Sequence, residues 1–510
     1  MPRLLLTFTA LTTAIVVAAG CGDDSTSSSG AATLAPASSL VYGEATLRPE
    51  GDQKAAIEDL VSKFPGEGSS GDRIRRLLEK AFASADTRLS YEEDVEPWLG
   101  NEAAFFVSSI SAGGEDADAA FLVATEDEDA TVDAVEKDGD VRKTDHRGHD
   151  LYVSDDEEGA AAVLEGWLVL GNPGGVKTAI DTVEDGEPIE DDDSYRETLE
   201  DATEDRLGFV YANMPELLRE VQNTPGAAEL GQLRQFFEEP LLGTVTADEA
   251  GVRFEATVPA RLLAGFPFMA EGGGATEALP ADSWLALGQA DLGKTIDGYL
   301  DLAAGSLGGR DAIERQLESA TGLDLKEDVT SWMGDWGLFV RGTTLDELDG
   351  ALIIETTDEA ASGRFIDALV RLARENPSAG LEIGPLALGG GGEGVTFRSP
   401  DVPEPVHLFQ RDGKVVAAFG DAAAQDALDP AETLGESSAF TDAEEALGGG
   451  YAISFYLAIE PILQLVDSTG AGSDEDWQKV KPYLEPLGAL VAGARKDGDD
   501  LRSAFGLTVK

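Results

Sequence analysis

Two short segments of this sequence have residue types that phosphate binding would use. The segment "GNPGGVKTAID" begins at Gly171 and precedes a helical pattern. A phosphate-binding loop needs Gly-x-x-x-x-Gly-Lys-Ser/Thr, so that backbone N–H groups and the lysine reach the phosphates. Val176 stands where the second glycine is required. We therefore expect a strand-to-helix turn there, and a flexible hairpin loop at "GGGGEG", Gly389–Gly394, which has no lysine.

Two histidines have a spacing that could bind a metal. His146 and His149 form H-x-x-H, with Asp145 and Asp150 beside them. Imidazole nitrogens and carboxylates are zinc ligands. Residues three apart on a strand point to opposite faces, so only a turn at Arg147-Gly148 could bring the rings together. We expect a hairpin tip at the surface and no metal site.

The remaining composition leaves few routes to catalysis. The sequence has one cysteine, three histidines and no Gly-x-Ser-x-Gly nucleophile motif. Its 98 acidic residues include many neighbouring pairs, but none of the acidic runs has the spacing of a helix-loop-helix calcium site. We expect no catalytic residue and no cofactor. A hydrolase based on two carboxylates stays open, and it would require two acidic residues in one cleft with at least one desolvated.

The single cysteine, Cys21, follows an apolar stretch and small residues, in "IVVAAGCGDDSTSSSG". This order is typical of a signal peptide, and the Ser/Gly/Asp run after it is typical of a flexible tether. The segment resembles the start of bacterial lipoproteins, whose cysteine is lipidated and becomes the new N-terminus. We therefore expect lipid attachment at Cys21 and a location on the extracytoplasmic face of the cell membrane. The alternative is a secreted protein with an incidental cysteine in its leader.

The charge of the chain restricts its partners. The chain has 98 acidic residues and 37 Lys and Arg residues, which gives a formal net charge of -61. Nucleic acid and anionic lipid head groups would be repelled by such a surface. The acidic surface serves solubility, or it recognises cations or a basic partner. A single cysteine also excludes an intramolecular disulfide, so the fold must rest on its core.

The chain contains two similar halves. "LAPASSLVYGEATL", from Leu34, is echoed by "LPADSWLALGQADL", from Leu279. "EDVEPWLGNEAAFFV" matches "EDVTSWMGDWGLFV", which aligns Trp98 with Trp332 as expected core residues. Six such blocks keep the same order, so we predict a tandem duplication. The predicted organisation is a signal peptide at 1–20, a tether at 21–33, a first domain at 34–258, a connector at 259–278 and a second domain at 279–510.

Within each half, strand patterns alternate with helical patterns. The spacing of apolar residues predicts a strand at "LVYGEATL" and helices at "DQKAAIEDLVSKF" and "DRIRRLLEKAF". A hairpin is predicted from the two strand patterns "EAAFFVSS" and "DAAFLVATE". We expect an α+β fold of two tandem homologous domains, each a largely antiparallel sheet with helices packed on one face. The connector is too apolar for a free linker, so we expect it to pack against one or both domains.

The opening of the first half carries a family resemblance. The segment "LAPASSLVYGEATLRPEGDQKAAIEDLVSKFPG" is similar to the family known as domain of unknown function 3352. The resemblance implies a lipoprotein or secreted protein, notably of actinobacterial type, over most of the mature chain. It implies no reaction and no catalytic residue.

These features lead to one functional hypothesis with alternatives. We expect a membrane-tethered binding or scaffold protein of the cell envelope rather than an enzyme. Its partner would be another envelope protein. A carrier would instead enclose an apolar small molecule or lipid in a pocket. The third alternative is the carboxylate-based hydrolase, acting on envelope glycans.

Overall fold

In a computed structural model, the protein divides into two compact units, Met1–Glu249 and Ala250–Lys510. The described residues are 30–66, 68–84, 87–110, 117–139, 141–200, 202, 205–222, 234, 237–259, 274–303, 309–375, 381–386, 388, 393–400, 402–497 and 500–510. Within these ranges, no helix is both long and apolar enough to cross a membrane. The chain combines helices with antiparallel sheet, so its fold class is α+β.

The described part of the first unit contains one antiparallel sheet. Its strands are β1 (Val41–Thr46), β2 (Leu99–Ile110), β3 (Ala117–Thr125), β4 (Val141–His146), β5 (His149–Ser154), β6 (Ala160–Leu164), β7 (Trp167–Gly171), β8 (Gly208–Ala212) and β9 (Leu241–Asp248). They lie in the order β9-β8-β1-β2-β3-β7-β6-β5-β4. The predicted hairpin of β2 and β3 is confirmed.

Helices cover both faces of this sheet. They are α1 (Gly51–Lys63), α2 (Ser70–Ser84), α3 (Glu128–Asp138), α4 (Pro173–Asp185), α5 (Asp193–Glu200) and α6 (Met214–Gln222). Trp167 packs in a core cluster with Ile180 of α4, whereas the next residue, Leu168, packs in a second cluster with Phe82 of α2. The expectation of helices on one face is therefore wrong. Strands such as "WLVLG" are apolar at every position and need cover on both sides.

The second unit also contains antiparallel sheet. Its strands are β10 (Gly251–Pro259), β11 (Leu285–Gln289), β12 (Met333–Arg341), β13 (Asp349–Thr356), β14 (Glu382–Pro385), β15 (Glu393–Arg398), β16 (Val406–Arg411), β17 (Lys414–Phe419), β18 (Ala452–Ala458), β19 (Leu487–Asp497) and β20 (Asp500–Val509). Their order is β10-β20-β19-β18-β11-β12-β13-β17-β16-β15-β14. From β19 to β14 this order repeats that of the first unit, with ten added to each strand number.

The helices of the second unit also occupy both faces. They are α7 (Leu292–Ala303), α8 (Arg310–Thr321), α9 (Glu359–Glu375), α10 (Asp421–Asp426), α11 (Ser438–Ala446), α12 (Ile459–Ser468) and α13 (Glu475–Leu484). Phe440 of α11 belongs to the core cluster on one face, and Ile366 of α9 belongs to the cluster on the other.

The two aligned tryptophans occupy equivalent places in their units. Trp98 is 2% exposed and Trp332 is fully buried, as predicted. Each indole N–H donates to the backbone carbonyl four residues earlier, at Asp94 and Asp328. Each tryptophan carbonyl accepts a hydrogen bond from a backbone N–H, from Glu126 just after β3 and from Thr357 just after β13. The tryptophans therefore join a short π-helical turn to the end of the second strand of the hairpin that follows it.

Candidate functional site

Some of the sequence predictions concern residues outside those that the structure describes. Cys21, the predicted site of lipid attachment, lies there, as do most of the connector and glycines 389–392. Lipidation therefore stays a prediction.

The histidine pair lies at the tip of the β4–β5 hairpin, where His146 and His149 face each other across the Arg147-Gly148 turn. The rings have separate partners: His146 Nε2 lies 2.9 Å from Asp181 and His149 Nε2 lies 2.7 Å from Glu184. Both carboxylates belong to α4. Among the described residues, no group of three or more His, Cys, Asp or Glu is arranged to hold a metal ion. The pair docks the hairpin tip on α4.

The glycine segment after β7 forms the predicted strand-to-helix turn. Asn172 caps α4 by accepting a hydrogen bond from the Gly175 N–H at 2.9 Å. A Cβ on Gly175 would lie 2.1 Å from the Ala119 carbonyl oxygen, and one on Gly171 would lie 2.3 Å from the same atom. These glycines therefore allow close packing on β3, which is a structural role.

The second unit presents a large apolar surface on one face of five of its strands. Directly opposite residues in antiparallel strands point to the same face. By this register, ten residues share one face of β10, β20, β19, β18 and β11. This apolar surface consists of Val252, Phe254, Leu285, Leu287, Phe455, Leu457, Leu490, Ala492, Phe505 and Leu507.

These side chains retain contact with solvent although they form a continuous apolar face. Phe254 and Phe505 are opposite each other and are 41% and 44% exposed. Ala492 is buried, and the other seven residues are half-buried. On the reverse face of the same strands, Tyr456 and Val491 are 2% and 0% exposed. The apolar surface is thus incompletely covered, whereas the reverse face forms the core.

Farther along the same face, helices cover the sheet. Leu352 of β13 packs in a cluster with Ile296 of α7 and Ile366 of α9. A contiguous exposed apolar patch on a protein surface marks an interaction site more often than a scattered apolar residue does.

A second candidate site is a small pocket in the first unit. Its volume is about 180 Å³, and its lining is formed by Ala31, Glu44, Ala45, Thr46, Glu102, Ala103, Trp167, Arg206, Gly208 and Phe209. Glu44 lies on β1, opposite Phe209 of β8 and Ala104 of β2. Glu102 is exposed, while Glu44 and Arg206 are half-buried. Two carboxylates and one guanidinium therefore share the pocket.

A cluster of tyrosine side chains positions the Glu44 carboxylate. The hydroxyl of the fully buried Tyr42 donates a hydrogen bond to Glu44 Oε1. The Tyr42 ring meets Tyr195 edge-to-face at 5.6 Å, and Tyr195 meets Tyr211 edge-to-face at 5.3 Å. Such edge-to-face pairs favour a fixed geometry. The carboxylate is thus positioned by an ordered aromatic cluster.

Burial controls the ionisation of this group. Desolvation raises the pKa of Glu44, the Tyr42 hydrogen bond lowers it, the Glu102 carboxylate raises it and Arg206 lowers it, with a net upward shift. Burial raises the pKa of Tyr42 well above its ordinary value and that of Tyr211 to about 12, so both hydroxyls are protonated at neutral pH. The Arg206 guanidinium lies 4.9 Å from the centre of the Phe209 ring, a cation–π distance.

Sequence reasoning missed both the apolar surface and the Glu44 pocket. One signal for the pocket was the glutamate inside the apolar strand "LVYGEATL". A charged residue in such a strand is rare unless it has a partner. The partner residues come from distant parts of the chain, so no local pattern indicated them.

Comparison with known proteins gives a family and little else. No curated protein matches the chain. Two solved structures of TP0453, crystal forms IV and I, are 10% and 12% identical to it. Their alignments cover 46% of this chain and 81% and 80% of theirs, with TM-scores of 0.26 and 0.25. At such TM-scores the likeness carries no argument about fold or function.

The family assignment rests on a match over nearly the whole chain. Residues 4–484 match the family described as "Protein of unknown function (DUF3352)". The suspected resemblance is therefore confirmed, and the chain belongs to this family of unknown function.

Proposed function

We propose that this protein is a non-enzymatic, membrane-tethered extracytoplasmic lipoprotein that binds the hydrocarbon chain of a lipid on the apolar surface of its second unit. The observation that carries this proposal is the facing pair Phe254 and Phe505, both exposed on an otherwise apolar sheet face. Of the two binding hypotheses, a carrier and a protein scaffold, we propose a carrier whose ligand lies on an open sheet face rather than in an enclosed pocket.

The composition of the surface supports an apolar ligand. All ten of its side chains are apolar, two of them are exposed and seven are half-buried. The net charge of -61 repels anionic lipid head groups, so the ligand would have a neutral or zwitterionic head.

The predicted anchor agrees with this role. Lipid attachment at Cys21 would leave nine residues, 22–30, before the first described turn. At about 3.5 Å per extended residue, the first unit would be held within about 30 Å of the membrane. A protein tethered at that distance has continuous access to membrane lipid.

We also propose that the two units are tandem homologous domains. The repeated strand order and the shared environment of Trp98 and Trp332 support a common origin. The compact units divide after Glu249, so strand β10 belongs to the second unit, where it pairs with β20. The duplication predicted from the sequence placed that strand in the first domain.

Glycan hydrolysis is the weaker alternative. Glu44 and Glu102 do share a pocket, and Glu44 is desolvated. However, the volume of about 180 Å³ is below the range of about 300–1,000 Å³ in which pockets for drug-sized ligands fall. Two sugar rings flanking a glycosidic bond need a site of that larger size.

The proposal can be tested by native mass spectrometry of residues 22–510, purified gently from a bacterial host and followed by solvent extraction. A stoichiometric co-purified lipid is the expected result. A clean apoprotein mass, together with no fluorescence enhancement of the uncharged apolar probe N-phenyl-1-naphthylamine, would contradict the proposal and direct the search to crosslinked envelope partners.

A further inference from the structure

The Glu44 pocket lies in the first unit and takes no part in the proposed hydrocarbon site of the second. We propose that this pocket binds a small organic zwitterion, through ammonium contacts to Glu44 and Glu102 and a carboxylate contact to Arg206. The site is independent of the apolar surface. The protein would therefore bind small polar molecules in addition to a hydrocarbon chain.

The charges of the pocket favour a zwitterion over a simple ion. Two carboxylates and one guanidinium line the same small volume. A lone cation would approach Arg206, and a lone anion would approach two glutamates, so each meets repulsion. A molecule with one ammonium and one carboxylate can place each group beside its opposite charge. Charge-assisted hydrogen bonds of this kind are among the strongest in proteins.

The size of the pocket restricts the ligand to a few heavy atoms. A volume of about 180 Å³ corresponds to roughly six water molecules at about 30 Å³ each. A small amino acid or a short ω-amino acid occupies such a volume. The apolar wall formed by Phe209 and Ala31 would contact the carbon atoms between the two charged groups.

The support beneath Glu44 shows that the site is organised. Tyr42 donates to Glu44 and is itself fixed by Tyr195. The matching positions of the second unit, read from the shared strand register, are Ala286 and Gly288, which can supply neither the hydroxyl nor the carboxylate. The polar arrangement is therefore specific to the first unit, and the conserved strand order does not require it.

The test is calorimetric titration of the full mature chain with glycine, β-alanine and γ-aminobutyrate, in which the ammonium and carboxylate groups are separated by increasing lengths. Methylamine and acetate serve as single-charge controls. The variants are Glu44→Gln, which keeps the side-chain shape, and Glu102→Gln, which changes an exposed residue. Glu136→Gln, at an exposed position on α3, is the matched control.

At least one zwitterion should bind with a Kd below about 1 mM and more tightly than either single-charge control. Each pocket variant should weaken binding about tenfold or more, as the loss of a hydrogen bond between charged groups does. Glu136→Gln should bind as the wild type does. Absence of binding by all three zwitterions, equal binding of methylamine or acetate, or unchanged affinity in both variants would overturn the proposal. N-phenyl-1-naphthylamine binding should persist in Glu44→Gln, which separates this site from the hydrocarbon site.

Discussion

The facing phenylalanines of the second unit offer the sharpest test of the hydrocarbon site. Phe254 and Phe505 are directly opposite on β10 and β20, and neither side chain is buried. The double substitution Phe254→Ser with Phe505→Ser removes both rings while leaving a small residue that a strand tolerates. Because the rings are exposed, we expect the fold to survive the change.

The expected loss follows from the exposed ring surface. At about 200 Å² per phenylalanine, exposures of 41% and 44% leave about 170 Å² of ring surface in water. A bound chain that covers half of it gains about 2 kcal/mol, at about 25 cal/mol per Å². Removing both rings should therefore weaken binding of an apolar ligand about thirtyfold, since each 1.4 kcal/mol is about a factor of ten.

The assay is fluorescence titration with N-phenyl-1-naphthylamine, with circular dichroism melting to confirm that the variant is folded. Leu345→Ser is the matched control, because Leu345 is 60% exposed in the same unit and lies outside the apolar surface. The control should bind the probe as the wild type does. A folded double variant that keeps wild-type affinity would refute the placement of the ligand on this surface.

Three further predictions concern the anchor, the core and the first unit. Cys21→Ser should release the protein from the membrane fraction in a fractionation assay, and unchanged retention would count against lipidation. Trp332→Ala should lower the free energy of unfolding by about 3–5 kcal/mol in denaturant titration, because the indole is fully buried; a loss under about 1 kcal/mol would contradict its core role. Glu44→Gln should raise the melting temperature at pH 7, because burial raises the pKa of this carboxyl and makes its ionised form unfavourable in the fold. That gain should shrink as the pH falls from the raised pKa of the folded state towards the ordinary value of 4.5. Below that value the wild-type carboxyl is protonated in both the folded and the unfolded state. A lower melting temperature of the variant at pH 7 would contradict this prediction.

Strands and helices were predicted correctly where the spacing of apolar residues and the turn-forming residues indicate the same element. The strand of "LVYGEATL" and the helices of "DQKAAIEDLVSKF" and "DRIRRLLEKAF" are present as β1, α1 and α2. The turn at Asn172 was also predicted, because glycine and proline after a strand favour such a turn. Helix α5 begins at Asp193, and Asp192 accepts the hydrogen bond from the Tyr195 N–H.

The sequence could not predict which surfaces lack cover. The apolar surface draws its residues from five strands that are up to 255 positions apart in the chain, between Val252 and Leu507. Its exposure depends on which helices reach it, and the helical patterns do not specify where a helix docks. The prediction of helices on one face was wrong for a different reason: the strand "WLVLG" is apolar at every position and therefore required cover on both sides.

The comparison of the two units suggests how one fold could hold two different sites. In the second unit, Phe455 and Leu287 face each other on neighbouring strands and extend the apolar surface. The positions that pair in the same way in the first unit are Val210 and Gly43, and Phe105 packs closely over Gly43. The first unit thus has smaller residues where the second has large apolar ones, and it has Tyr42 and Glu44 on the face where the second has alanine and glycine. Substitutions at these few sheet positions leave the strand order unchanged, because the hydrogen bonds of a sheet come from the backbone. Under the proposed duplication, the two copies of the sheet can therefore carry different sites without a change of fold.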